Sequence, residues 1–172
     1  ELGLAFSDPI ADGPIIQRAS ERALKHMTFE RALDLIKKIR EYSPIPMNLL
    51  TYANPLYRQG YESAVKKLKA AGMDGILVAD IPMEEIAELQ DILIQQDLKQ
   101  TFLIAPNTPL ERANTIHQQS TAFSYIINRL GITGMSSGVP EGTLELLKYL
   151  KQNESEIWIA PMVEVAKYVK SK

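Results

Sequence analysis

The sequence predicts an α/β fold, a (β/α)8 barrel, and three observations carry that prediction. Short apolar runs alternate strictly with longer amphipathic segments, at a spacing of roughly 25 residues, which is the pattern of repeated βα units. Such units make parallel strands joined by right-handed crossovers, either as a barrel or as an open doubly wound sheet. No Gly-x-Gly-x-x-Gly motif follows a strand, which argues against a dinucleotide-binding sheet. The strands also end at residues able to do chemistry or to line a pocket: Glu1, Tyr52, Asp80, Pro106 and Tyr125. A barrel gathers residues from many strand ends on its C-terminal rim, so this regularity favours the barrel.

The chain opens on Glu1-Leu2-Gly3, the tip of a strand, and runs into a loop broken by Pro9, Gly13 and Pro14. Glu1, Asp8 and Asp12 put three carboxylates there, as acid–base chemistry would need; a solvated loop whose acids cap the next helix is the alternative. Pro14 to His26 is predicted as a short helix with proline near its start. Thr28 is predicted to N-cap a second helix over 29–42, with Phe29, Ala32, Leu33, Leu35, Ile36 and Ile39 on its apolar face. Ser43-Pro44-Ile45-Pro46 stops that helix. Residues 47–52 are a mostly apolar run fit for a buried strand, followed by Ala53-Asn54-Pro55 as a loop.

Residues 61–71 predict a helix with Val65 and Leu68 inward, Lys66, Lys67 and Lys69 outward, and Gly72 just past its end. A strand over 75–80 follows, then a helix opened by Met83-Glu84-Glu85 and running to about Gln96. Residues 101–105 are predicted as a strand. Thr108 is expected to cap a helix with Pro109 at its first position. Residues 122–127 make another strand, 128–141 a glycine- and serine-rich loop, 143–152 a helix and 156–159 a last short strand. These six strands fall short of the eight of a barrel. The chain is therefore expected to be an incomplete barrel, its first strand and parts of strands seven and eight missing. It is expected to form a single domain over 1–172, with breaks near 135–140 and 159–165.

Composition narrows the function classes. The 172 residues are 45% hydrophobic and 23% charged with a net charge of −2, so nucleic-acid binding has no electrostatic support. The absence of cysteine excludes disulfides, thiolate nucleophiles and cysteine-based metal sites. His26 and His117 lie far apart in helical segments and are read as surface residues, so no metal site is expected. No apolar run reaches the length of a membrane span. A reducing, cytoplasmic setting is compatible with these features.

Five blocks at the strand ends carry a resemblance. They are Glu1-Leu2-Gly3 with residues 6–17, Leu50-Thr51-Tyr52-Ala53-Asn54-Pro55, residues 77–85, residues 102–109 and residues 123–134. In order and strand context the chain resembles the tryptophan synthase α subunit family. The resemblance implies a (β/α)8 barrel of tryptophan biosynthesis that splits indole-3-glycerol phosphate into indole and glyceraldehyde 3-phosphate by a retro-aldol step. It implies no metal or organic cofactor for that step. It also implies a partner, a β subunit carrying pyridoxal phosphate, in an αββα complex.

By the same resemblance Glu1 is the catalytic acid/base, Asp12 the second catalytic carboxylate, and Tyr125 a tyrosine that positions the substrate or Glu1. Leu50, Tyr52, Ala79 and Leu103 match positions lining the indole pocket. Thr133 would touch Asp12 when a lid closes, and Gly134 would give a backbone N–H to the phosphate. Pro9, Asn54, Pro55 and Pro82 match the rim that meets the β subunit, while Asp8 and Asp80 are expected to be turn or contact residues.

The chain departs from the family pattern in three places. The family's first strand and helix, a Gly-Phe-Gly-Ile-type loop after strand seven and a Gly-Ser pair near strand eight are not present. Little lyase activity is expected if these 172 residues are the whole polypeptide. The other readings are a stand-alone indole-releasing lyase, a related phosphate-binding barrel and a non-catalytic activator of a β subunit. A related indole-glycerol phosphate synthase would need a strand-end lysine, whereas Lys66, Lys67 and Lys69 sit on a helix exterior.

Overall fold

The computed structural model describes residues 1–127 and 141–153. Its elements run β1 (Leu2–Gly3), α1 (Pro14–Leu24), α2 (Phe29–Tyr42), β2 (Asn48–Thr51), α3 (Ala53–Tyr57), α4 (Tyr61–Ala71) and β3 (Gly75–Val78). A 3-10 turn (Met83–Glu85), α5 (Ala87–Gln95), β4 (Lys99–Gln100), β5 (Phe102–Ile104), α6 (Leu110–Gln119), β6 (Ser124–Ile126) and α7 (Glu141–Asn153) follow. The expected strand over 156–159, the loop over 128–140 and the expected breaks near 135–140 and 159–165 lie outside the described residues.

Every described strand pairing is parallel. The pairing order is β1-β2-β3-β4 in one sheet and β5-β6 in the other. Thr101 alone separates β4 from β5, and its N–H donates to the Ile76 carbonyl at 2.9 Å, so the strand runs on beside β3 across the division. The strands therefore lie side by side in chain order. A doubly wound sheet reverses its strand order at a switch point; a barrel adds each strand to the same side. The described part is an arc of a (β/α) barrel.

Register assigns the two faces of this arc. Leu2 pairs with Leu49, Leu49 with Ile76 and Ile76 with Gln100, while Gly3 pairs with Leu50 and Leu50 with Leu77. Leu103 pairs with Tyr125. Because side chains alternate along a strand, paired rows share a face. One face holds Leu49, Ile76, Val78, Phe102 and Ile104, which are buried in one cluster with Ile36, Leu68, Leu89, Leu93, Ala113 and Ile116 from the helices. This is the core. The opposite face carries Leu50, Leu77, Ala79, Leu103 and Tyr125 toward the barrel interior.

The helices follow their sequence signals in most places. Thr28 caps α2 by accepting from the Arg31 N–H at 3.2 Å. Gly72 ends α4 at φ 102°, a left-handed conformation natural to glycine. Phe29, Ala32, Leu33 and Ile36 form the buried stripe of α2, but Leu35 is exposed because it lies off that stripe.

Four expectations are corrected. Ala53-Asn54-Pro55 is no loop but the first part of α3. Thr108 does not cap α6; its hydroxyl accepts from the Ala105 N–H at 3.0 Å, and the helix starts at Leu110. The segment after Pro82 forms a 3-10 turn before α5, because buried Ile86 interrupts the helical backbone at ψ −1°. The strand expected over 101–105 begins two residues earlier, at Lys99.

Candidate active site at the strand ends

Five strand ends supply the residues of the candidate site. Glu1 immediately precedes β1, and strand alternation puts it on the same side as Gly3, the side of Leu50 and Leu77. Tyr52 and Ala79 follow β2 and β3, and Leu103 and Tyr125 lie opposite each other on β5 and β6. The inward face thus carries Glu1, Leu50, Tyr52, Ala79, Leu103 and Tyr125 together. Ala79 and Leu103 also line one cleft of about 360 Å³ with Asp80, Pro82 and Ile127.

Asp12 reaches the site from the loop after β1. Its backbone N–H donates to the Pro9 carbonyl at 3.0 Å, closing a turn. Its own carbonyl accepts from the Gln17 side-chain amide of α1 at 2.9 Å. The Tyr52 hydroxyl donates to the Asp12 carboxylate at 2.9 Å and accepts from the Ala11 N–H at 3.2 Å. The Tyr52 ring packs on Phe6, with centroids 5.3 Å apart. One buried phenol therefore ties the loop to the end of β2.

Electrostatics link the groups. Burial holds the Glu1 carboxyl above the usual range, and the Asp12 charge adds to the rise. Tyr125 is likewise pushed up, first by burial and then by the Glu1 charge. β1 and β6 are at opposite ends of the described row, so the Glu1 charge acts on a residue five strands away in the strand order. Tyr52 is raised strongly, by burial and then by its hydrogen bond to Asp12, so it stays a donor at neutral pH.

The chemistry available is that of a carboxyl group whose pKa is raised by burial, a second carboxylate and two phenols held as donors around an apolar interior. Among the described residues no group of three or more His, Cys, Asp or Glu could hold a metal ion. No described helix is long and apolar enough to cross a membrane. His117 is not a plain surface residue: its Nδ1 lies 2.7 Å from the Ser124 hydroxyl of β6.

Of the residues expected at the rim, Pro82 shares the cleft of Ala79 and Leu103, and the Pro9 carbonyl accepts from the Asp12 N–H. Asn54 and Pro55 stand in α3 and Pro82 before the 3-10 turn; Asn54 and Pro82 are exposed. Pro9 lines a second cleft, of about 280 Å³, with Phe6, Asp8 and Gln17. Thr133 and Gly134 fall outside the described residues. Sequence reasoning missed two links. Tyr52 bonds to Asp12 across forty positions of chain. The Asp80 carboxylate accepts from the Ala53 N–H at 2.7 Å, at the start of α3. Spacing held no signal for either, since each partner lies in a different βα unit.

Known proteins similar to this chain share its family and its fold. The family model described as "Tryptophan synthase alpha chain" matches residues 1–160. A tryptophan synthase alpha chain of Pyrococcus abyssi is 41% identical over 153 residues, 88% of this chain and 62% of the relative. One from Methanothermobacter thermautotrophicus is 41% identical over 90% of this chain and 58% of its own. A solved tryptophan synthase a2b2 complex of Pyrococcus furiosus contains a chain superposing with a TM-score of 0.81 at 41% identity, over 88% of this chain and 61% of that one. This chain thus spans about three-fifths of the length of the relatives it matches. With a family model covering nearly all of it and this degree of identity, the chain belongs to the tryptophan synthase alpha chain family.

Proposed function

We propose that the chain is the α subunit of a tryptophan synthase, a single (β/α) barrel domain that cleaves indole-3-glycerol phosphate to indole and glyceraldehyde 3-phosphate. The observation that carries this reading is the convergence of Glu1, Tyr125 and the Tyr52-held Asp12 on one inward face. In the retro-aldol step a protonated Glu1 delivers its proton to indole C3. The same carboxylate then takes the proton of the side-chain hydroxyl as the C–C bond breaks, and the electron pair of that bond returns to the ring. The raised pKa of Glu1 suits a group that must first donate and then accept. Asp12 stabilises the positive charge that protonation places on the indole ring. Tyr125 holds Glu1 or the substrate, and Leu50, Tyr52, Ala79 and Leu103 bound the apolar ring.

The reading includes a partner. Pro9, Asn54, Pro55 and Pro82 meet a β subunit in an αββα complex, and pyridoxal phosphate belongs to that subunit. The α reaction uses no metal or organic cofactor, and the protein works in the cytoplasm. Thr133 and Gly134 serve the lid and the phosphate.

Co-purification with a β subunit followed by an indole-release assay tests the proposal. The expected result is indole formation that Glu1→Gln abolishes and Asp12→Asn reduces by roughly 100-fold or more. Normal turnover by the Glu1→Gln protein sinks the mechanism. Activation of the β subunit without indole release would instead identify a non-catalytic activator.

A further inference from the structure

We propose that Asp80 is a positioning residue for Asp12, acting through the turn at Ala53 and the hydroxyl of Tyr52. The proposal rests on the reading of Asp12 as a catalytic carboxylate.

The backbone ladder between β2 and β3 makes its last rung where the Ala79 N–H donates to the Thr51 carbonyl at 2.9 Å. Beyond that point the chains part, β2 turning into α3 and β3 into the loop before Pro82. The Asp80 carboxylate supplies one more rung, accepting from the Ala53 N–H at 2.7 Å. Ala53 is the first residue of α3, so its N–H has no partner within the helix. Tyr52 offers no side-chain cap of its own, since its hydroxyl lies at the far end of the ring, away from the helix start. A charged acceptor on a backbone N–H is one of the stronger hydrogen bonds available to a protein.

The residue held in place by this rung is Tyr52, in extended conformation at φ −114° and ψ 163°. From there its ring reaches over the β1 loop, packs on Phe6 and sets its hydroxyl between the Ala11 N–H and the Asp12 carboxylate. The hydroxyl has one proton, which goes to Asp12, and it accepts from Ala11; both directions are fixed. A shift of the β2-to-α3 turn would move the phenol off both partners at once. Hence three successive strand ends form one line: Asp80 after β3, Ala53 and Tyr52 after β2, Ala11 and Asp12 after β1.

The test combines a spectroscopic readout with kinetics on the full chain. Labelling with 3-fluorotyrosine gives a 19F resonance for each of the seven tyrosines, and the Tyr52→Phe variant assigns the one from residue 52. Asp12→Ala defines the position of that resonance when the hydroxyl has lost its carboxylate partner. The expected result is that Asp80→Ala moves the Tyr52 resonance toward the Asp12→Ala position. Asp80→Asn should leave it near wild type, since the amide oxygen still accepts from Ala53. An unmoved resonance in folded Asp80→Ala overturns the proposal. So does an equal displacement in Asp80→Asn, which would point to the Asp80 charge acting directly on the ring.

In the indole-release assay Tyr52→Phe and Asp80→Ala should each lower kcat by roughly 10-fold, the loss of one hydrogen bond to a charged group. The double variant should fall no further than the weaker of the two singles, because they act on one line. Multiplying losses overturn the proposal. Lack of indole release by the unsubstituted chain would count against the proposed function and would leave the fluorine experiment to decide this inference.

Discussion

Glu1 combines partial burial with proximity to Asp12, and both disfavour its ionised form in the folded protein. A raised folded pKa has a defined consequence for stability. The contribution of Glu1 is favourable below the ordinary glutamate range and is lost as pH rises through the raised value. Glu1→Gln removes that loss. Thermal melts should therefore place the Glu1→Gln midpoint above wild type at neutral pH, with the gap closing at about pH 4. A gap that widens on acidification would contradict the direction of the shift. Under the proposed function the same substitution abolishes turnover, the pattern of a functional group held at some cost to the fold. Tyr125 responds to the same charge, so in Glu1→Gln its phenol should ionise at a lower pH than in wild type, read by alkaline absorbance titration against a Tyr125→Phe control.

The elements depend on a few local devices. α4 ends where Gly72 takes φ 102°, and an added Cβ there would stand 3.1 Å from the Arg40 side chain. Arg40 donates to the Gly72 and Ile45 carbonyls, so it cannot move away without releasing the joint between α2, α4 and β2. Gly72→Ala should cost about 1–2 kcal/mol from the left-handed backbone, measured as a shift of the urea midpoint at unchanged slope. Thr28→Ala removes the acceptor of the Arg31 N–H and should cost about 1 kcal/mol. Both devices were readable in the sequence because a cap and its helix are contiguous. Thr108 was not, although it has the same residue type and the same position before a helix. Its hydroxyl turns back to Ala105, and which of two nearby N–H groups a threonine serves is settled by loop conformation. α3 escaped notice for a related reason: five residues are too few for a periodic signal, and its first N–H is held by Asp80 from another strand.

Across the whole molecule, the sheet separates two unlike interiors. Leu49 is fully buried against the helices, whereas its neighbour Leu50 points inward and is only half-buried. Truncation should expose the difference. Leu49→Ala should cost about 2–5 kcal/mol, and Leu50→Ala should stay under about 2 kcal/mol, read by chemical denaturation of both variants. Equal costs would contradict the assignment of faces. The inward face thus leaves Leu50 and Leu103 partly open and surrounds them with groups that can carry protons.

The amino-acid sequence by itself determined the repeated βα order, the two periodicities and therefore which residues belong to strand ends. These rest on spacing along a continuous chain, and burial follows spacing. It also carried the family pattern in which Glu1, Asp12 and Tyr125 are singled out. Only the tertiary structure decided that the strands stand in chain order, because parallel pairing joins segments separated by whole helices. Only it joined Tyr52 to Asp12 and Asp80 to Ala53. A hydrogen bond between side chains of different βα units leaves no periodic trace, since its geometry exists only once the barrel wall has brought the strand ends together.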